Sequence, residues 1–134
     1  MGRRDQIGGL PGARGGGTLG RLNRGNDMAF YELRQYKVNP GRMAQWLEVM
    51  EKDIIPFQVS VGMVITGSFR GETDDSVYIW IRRFESEAHR EQLYKDVYES
   101  DMWKNVITPK YAGCLDRSGM VVQRIVPTER SVAQ

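Results

Sequence analysis

FYELRQYKVNPGR, residues 30–42, changes its period partway along. Phe30 to Val38 carries aromatic and aliphatic residues suited to a pleated strand. Asn39-Pro40-Gly41 then stops that strand and opens a helix, because proline is accepted in a first helical turn, where its missing N–H has no partner to lose. A strand therefore runs directly into a helix. Downstream, Met43, Trp46, Leu47, Met50 and Ile54 recur at intervals of three and four, which predicts an amphipathic helix with Glu48, Glu51 and Lys52 outside. Pro56 is expected to end it.

The rest of the chain continues the alternation. Gly62 to Arg70 and Ser76 to Phe84 are β-rich runs joined by the polar loop 71–75, so they are expected to pair antiparallel as a hairpin. Ser86 suits an N-cap with Glu87 in the first turn, opening a second helix that carries Leu93, Tyr94, Val97 and Tyr98. A further turn over Asp101 to Ile107 puts Trp103, Val106 and Ile107 on one side before Pro109, and a last strand spans Gly119 to Val126. This order, βαββαβ, predicts an α+β ferredoxin-like fold: one four-stranded antiparallel sheet with two helices on one face.

The third strand is apolar on both sides. Val77, Ile79 and Ile81 point one way and Tyr78, Trp80 and Phe84 the other, yet two helices can cover only one face. Burial of apolar area is worth about 25 cal/mol per Å², so an uncovered aliphatic sheet forgoes many kcal/mol. An isologous homodimer through the sheet face resolves this with one symmetric contact. The competing reading is a monomer that covers the face with its own tail.

Composition sets the outer limits. With 134 residues, 40% hydrophobic and 27% charged, the chain fits one globular domain. Residues 1–27 hold five arginines and two aspartates, net +3, and the remaining 14 basic and 15 acidic residues net −1. The domain at 28–134 thus has no positive excess with which to neutralise phosphates, and nucleic acid is not an expected partner. Nine of the 15 glycines lie in residues 1–27, which are read as a disordered Gly/Arg-rich extension upstream of a natural start at Met28. No run approaches the roughly 20 apolar residues of a membrane span, and no secretory signal is present. The single cysteine, Cys114, permits no intrachain disulfide and suits a reducing compartment. A cytoplasmic location is expected, or a mitochondrial one if the source is eukaryotic.

Several matches converge on a family. The YELRQY strand followed by NPGR, the strand Val77-Tyr78-Ile79-Trp80 leading into FESEAHRE, and Asp101-Met102-Trp103-Lys104 before a short final strand resemble the NIPSNAP family of the dimeric α+β barrel superfamily. The likeness covers about residues 29–127. It implies a homodimer with a cleft between sheet and helices in each subunit, binding a small organic ligand or a protein partner there. The family brings no defined activity and no catalytic signature. The segment Tyr111 to Arg117 departs from it in having few aliphatics.

Within this frame, Glu32, Arg34 and Tyr36 alternate on one strand face, and Tyr78, Trp80 and Arg82 on what is placed to be its neighbour. Together with His89 and Trp103 they are candidates to line a polar-aromatic cleft, with Arg34 and Arg82 gripping a carboxylate or similar anion and the aromatics stacking on an organic body. The plainer reading makes Glu32 the neutraliser of a buried arginine and the aromatics core. His89, the lone histidine, sits nine residues after Trp80; some haem-degrading members of the superfamily place a helix histidine behind a strand tryptophan, but they also need a strand asparagine where this chain has Glu32 and Arg34. A helix-start histidine is the plainer reading. Asp74 and Asp75 read as a solvated turn and Cys114 as a small filler, with no metal and no cofactor expected. The alternative function is a cofactor-independent monooxygenase or isomerase that stabilises a substrate anion with Trp80, Tyr78 and Arg34.

Overall fold

The computed structural model of the protein describes residues 28–134; the extension expected at 1–27 lies outside the described residues. Strand β1 (Phe30–Val38) is followed by α1, a continuous helix in three pieces: α-helical Met43–Val49, π-helical Met50–Ile54 and α-helical Ile55–Val61. Strands β2 (Val64–Arg70) and β3 (Val77–Phe84) come next, then α2 (Glu87–Tyr98), then α3, which is π-helical over Met102–Ile107 and α-helical over Thr108–Lys110. Strand β4 (Leu115–Ile125) closes the order. The sheet runs β2-β3-β1-β4, antiparallel throughout, with the helices on one face: the α+β ferredoxin-like arrangement.

Two prolines that were expected to stop helices do not. Ile55 N–H bonds the Met50 carbonyl, five residues back, and Pro56 follows; Thr108 N–H bonds the Trp103 carbonyl, five residues back, and Pro109 follows. A proline inside an α-helix clashes with the carbonyl four residues earlier. The wider π turn displaces that carbonyl, and each proline then occupies the first turn of a new α segment, where it is tolerated. Helix α1 ends instead at Gly62, whose φ of 120° is open to glycine and strained for other residues.

Boundaries move elsewhere too. β2 begins at Val64 and not at Gly62, which caps α1, and β4 begins at Leu115 and not at Gly119. The glycine lies inside β4 at a bulge: between the pairs Gln35↔Val121 and Lys37↔Asp116, β1 advances two residues and β4 five. A Cβ on Gly119 would sit 2.7 Å from that of Lys37, so this close approach needs a residue without one. Ser86 caps α2 as expected, its hydroxyl accepting from His89 N–H at 3.1 Å. Asp74 Oδ1 likewise takes the Ser76 amide and hydroxyl in the hairpin loop, an ordinary Asx turn.

The faces of β3 separate as expected. Tyr78, Trp80, Arg82 and Phe84 are buried under the helices, and Val77, Ile79 and Ile81 are half-buried on the other face. Register pairs place Leu33 and Gln35 of β1, Phe69 and Val64 of β2, and Val121 and Ile125 of β4 on that open face beside them. Phe69 is 55% exposed and Val121 47%. The chain's own C-terminal segment reaches only one end of this face, where Arg83 Nε donates to the Gln134 carbonyl at 3.0 Å and Tyr31 is buried.

Candidate functional site

Strands β1 and β3 lie side by side, and their register pairs Glu32 with Arg82, Arg34 with Trp80 and Tyr36 with Tyr78. All six point under the helices and all are buried. Six of the eight residues expected to share a cleft are thus brought onto one surface by strand alternation alone.

Helix α2 completes the cluster. Arg90, Tyr94 and Tyr98 recur every four residues and form one buried stripe facing those strands. Glu32 is the hub: Oε2 accepts from Arg90 Nε at 2.6 Å, and Oε1 from Arg82 Nη2 at 3.2 Å and from the Tyr94 hydroxyl, with Arg34 Nη1 at 3.6 Å. Tyr94 in turn accepts from Arg82 at 2.7 Å and Arg34 at 3.2 Å. Burial pushes the Glu32 carboxyl up, but Arg82, Arg90 and Arg34 outweigh it and hold the group at about 2. Burial likewise works against the Arg82 charge, and Tyr94, Tyr98 and Glu32 reverse that, leaving the guanidinium more firmly protonated than usual. Arg90 also faces Glu87 at 3.6 Å, and Glu87 pairs with Arg124 at 2.7 Å. Among the described residues, four arginines (34, 82, 90, 124) thus share two carboxylates.

Beside the cluster lies a pocket of about 20 Å³ between sheet and helices, lined by Tyr36, Trp46, Trp80, Tyr98, Trp103 and Tyr111, with Met50 and Ile54 beneath and Leu115, Arg117 and Met120 of β4. Arg117 is exposed and its β4 neighbours Leu115 and Met120 half-buried, so the pocket opens at the β4 edge. Both π turns supply wall residues: Met50 and Ile54 from one, Trp103 from the other. Such turns recur at functional sites because they re-aim side chains within a helix. The aromatic wall is tight, with Tyr98 and Trp103 edge to face at 4.8 Å and Trp46 and Tyr111 at 5.4 Å.

The wall is rich in donors. Tyr36 oxygen accepts from Arg34 Nε at 3.1 Å and from Trp80 Nε1 at 3.0 Å, and Tyr98 oxygen accepts from Arg82 Nη1 at 2.8 Å and from Gln58 Nε2 at 3.1 Å. Each phenol keeps one hydrogen of its own, and among the described residues neither has an acceptor for it. The buried indole N–H of Trp46 also has none. Three unspent donors around one pocket favour an occupant that accepts.

Of the expected ligand-binding residues, Tyr36, Trp80 and Trp103 line the pocket, and Glu32, Arg34, Tyr78, Arg82 and His89 do not. His89, half-buried at the start of α2, accepts the Glu85 amide on Nδ1 at 3.1 Å and packs against Phe84; it does not line the pocket. Arg82 lies behind the wall, its terminal nitrogens occupied by Gln58, Tyr98, Glu32 and Tyr94 and its guanidinium 4.5 Å from the Trp80 ring centroid. Trp103 does line the pocket. Sequence reasoning missed Gln58, Arg90 and the part played by Tyr94 and Tyr98. The signals were a polar residue extending the Met50-Ile54 stripe by four, and an arginine in the stripe of Tyr94 and Tyr98. Cys114 is buried, which pushes its thiol up and suits a filler. Among the described residues no group of histidine, cysteine and carboxylate side chains is arranged to hold a metal ion, and no helix is long and apolar enough to cross a membrane.

Comparison with known proteins agrees with the architecture. No curated protein matches the chain. Among solved structures, a NIPSNAP family protein of unknown function from Agrobacterium tumefaciens is 23% identical, with a TM-score of 0.71 over 81% of this chain and 96% of that one. Another NIPSNAP family protein from the same organism is 18% identical, with a TM-score of 0.70 over 79% of this chain and 99% of that one. A putative antibiotic biosynthesis monooxygenase from Caulobacter crescentus is 16% identical, with a TM-score of 0.55 over 83% of this chain and all of that one. At these identities the likeness is one of fold. The NIPSNAP family pattern itself matches residues 31–129, from the second residue of β1 to beyond β4, and on that match this chain belongs to the NIPSNAP family.

Proposed function

We propose that this protein is a homodimeric receptor for a small organic anion, held in each subunit by the aromatic pocket between sheet and helices. The observation that carries the reading is the set of unspent donors on Tyr36, Tyr98 and Trp46, in a wall backed by buried guanidinium groups. Such donors favour an acceptor, the charge behind them favours a negative one, and the indoles and phenols offer stacking surface to its body. The homodimer forms through the open sheet face, whose apolar side chains the other described residues leave partly exposed beyond the end reached by the C-terminal segment.

Calorimetric titration of the full chain with benzoate, p-nitrophenolate and the neutral benzyl alcohol tests this. At least one anion is expected to saturate at one per subunit and to bind at least tenfold tighter than the alcohol. Arg34→Met is expected to weaken the anion by about tenfold and leave the alcohol nearly unchanged, as loss of a charge-assisted interaction requires. Equal affinity for anion and alcohol, or no saturable binding, contradicts the reading.

A second reading has its own support. Donors fixed beside an apolar pocket also stabilise charge that develops during a reaction, so the same wall suits a cofactor-independent monooxygenase or isomerase; the Caulobacter protein of like fold carries the name of a putative monooxygenase. Turnover of an enolisable or phenolic compound that Tyr98→Phe abolishes would place this reading ahead of simple binding.

A further inference from the structure

The arginines behind the pocket and the phenols in its wall differ in what they have left to give. Arg82 Nη1 donates to Gln58 and Tyr98 and Nη2 to Glu32 and Tyr94, so all four of its terminal hydrogens are spent inside the protein. It has no fork to offer a carboxylate. Tyr36 and Tyr98 each retain a single hydrogen, and each lines the pocket. We propose that the pocket recognises one conjugated oxygen anion, a phenolate or an enolate, through the hydroxyls of Tyr36 and Tyr98. This rests on the pocket reading above and adds the chemical class of the ligand and the atoms that meet it.

Three observations support it. First, each phenol oxygen already accepts two N–H bonds, one of them from a guanidinium, and a hydroxyl polarised in this way donates its own hydrogen more strongly. Second, a cavity of about 20 Å³ admits one small group, so the oxygen enters while the ring stays toward the mouth at the β4 edge, with Trp103 and Tyr111 of the aromatic lining as its proposed wall. Third, donors held rigidly in an aromatic wall gain more from a charged acceptor than from a neutral one, so the site favours the ionised ligand over its conjugate acid. The proton released on ionisation passes to solvent, and no other bond changes.

The test uses p-nitrophenol, whose ionisation is read from its absorbance, with nitrobenzene and 4-nitrobenzoate as comparators in equilibrium dialysis against the full chain. Bound p-nitrophenol is expected to titrate at least one pH unit lower than free, the equivalent of ~tenfold tighter binding of phenolate than of phenol. Tyr36→Phe and Tyr98→Phe should each bring the bound titration back toward the free one, while Tyr31→Phe, on the opposite sheet face, leaves it in place. Thermal melts of all three variants check that they fold. An unshifted titration of bound p-nitrophenol overturns the proposal and leaves pocket binding standing. So does tighter binding of 4-nitrobenzoate that the same two substitutions weaken. If no probe saturates, the pocket reading itself fails and the proposal with it.

Discussion

Exchanging Glu32 for glutamine preserves the outline of the side chain and removes the carboxylate that Arg34, Arg82 and Arg90 share. Breaking a buried pair leaves uncompensated charge, so Glu32→Gln should lower unfolding free energy by about 3–5 kcal/mol, read from urea denaturation at neutral pH. The pH dependence has a definite sign. The folded carboxyl titrates near 2, below its ordinary value of 4.5, so its contribution is complete above the ordinary value and is lost as pH falls from there through about 2. Stability of the unmodified protein should therefore fall more steeply with acid over that range than stability of Glu32→Gln. Parallel curves would show that Glu32 is not the hub. At this scale the sequence was informative about facing and silent about roles. Alternation alone placed Glu32, Arg34 and Tyr36 together, because a strand's period is fixed. That the terminal nitrogens of Arg82 are fully engaged while its buried Nε, Tyr36 and Tyr98 keep hydrogens to donate depends on which helix stripe lies opposite, and no spacing in β1 or β3 encodes that.

Helix ends obey the wider geometry of the turn before them, which is why Pro56 and Pro109 misled. Reading each proline as a terminator follows from α-helical hydrogen bonding, and both helices had already left that pattern one turn earlier. Replacing Pro56 by alanine should change stability by less than about 1 kcal/mol, since the ring sits in a first turn and breaks nothing there. A gain near 3 kcal/mol would instead mean a proline strained within the helix interior. Gly62 is the true stop, and Gly62→Ala should cost about 1–2 kcal/mol in the same denaturation assay, because its φ of 120° disfavours a Cβ that would also press on Leu93 at 3.3 Å. Element type and order were legible because period-two and period-3.6 patterns are long-range averages. The bulge in β4 was not, since it depends on Gly119 passing within contact of Lys37 on a neighbouring strand.

At the scale of the molecule the sheet serves two purposes, one on each side. The helix side builds the charge cluster and the pocket; the open side carries Phe69, Ile79, Ile81 and Val121, the surface proposed above for a second copy. If that copy docks there, light scattering should give twice the chain mass at micromolar concentration, and the double substitution Phe69→Glu, Ile79→Glu should halve it, because two unpaired carboxylates cannot be buried in an apolar contact. A stable single chain before substitution would contradict the dimer and leave the pocket untouched. The two faces separate cleanly because alternate residues of one strand cannot serve both. The most direct test of the receptor itself is a crystal structure of the full chain soaked with p-nitrophenolate. A ring seated against Trp103 and Tyr111, with its oxygen ~2.5–3.0 Å from the hydroxyls of Tyr36 and Tyr98, is the predicted result. Density at another site, or a pocket that stays empty at saturating ligand, would contradict it.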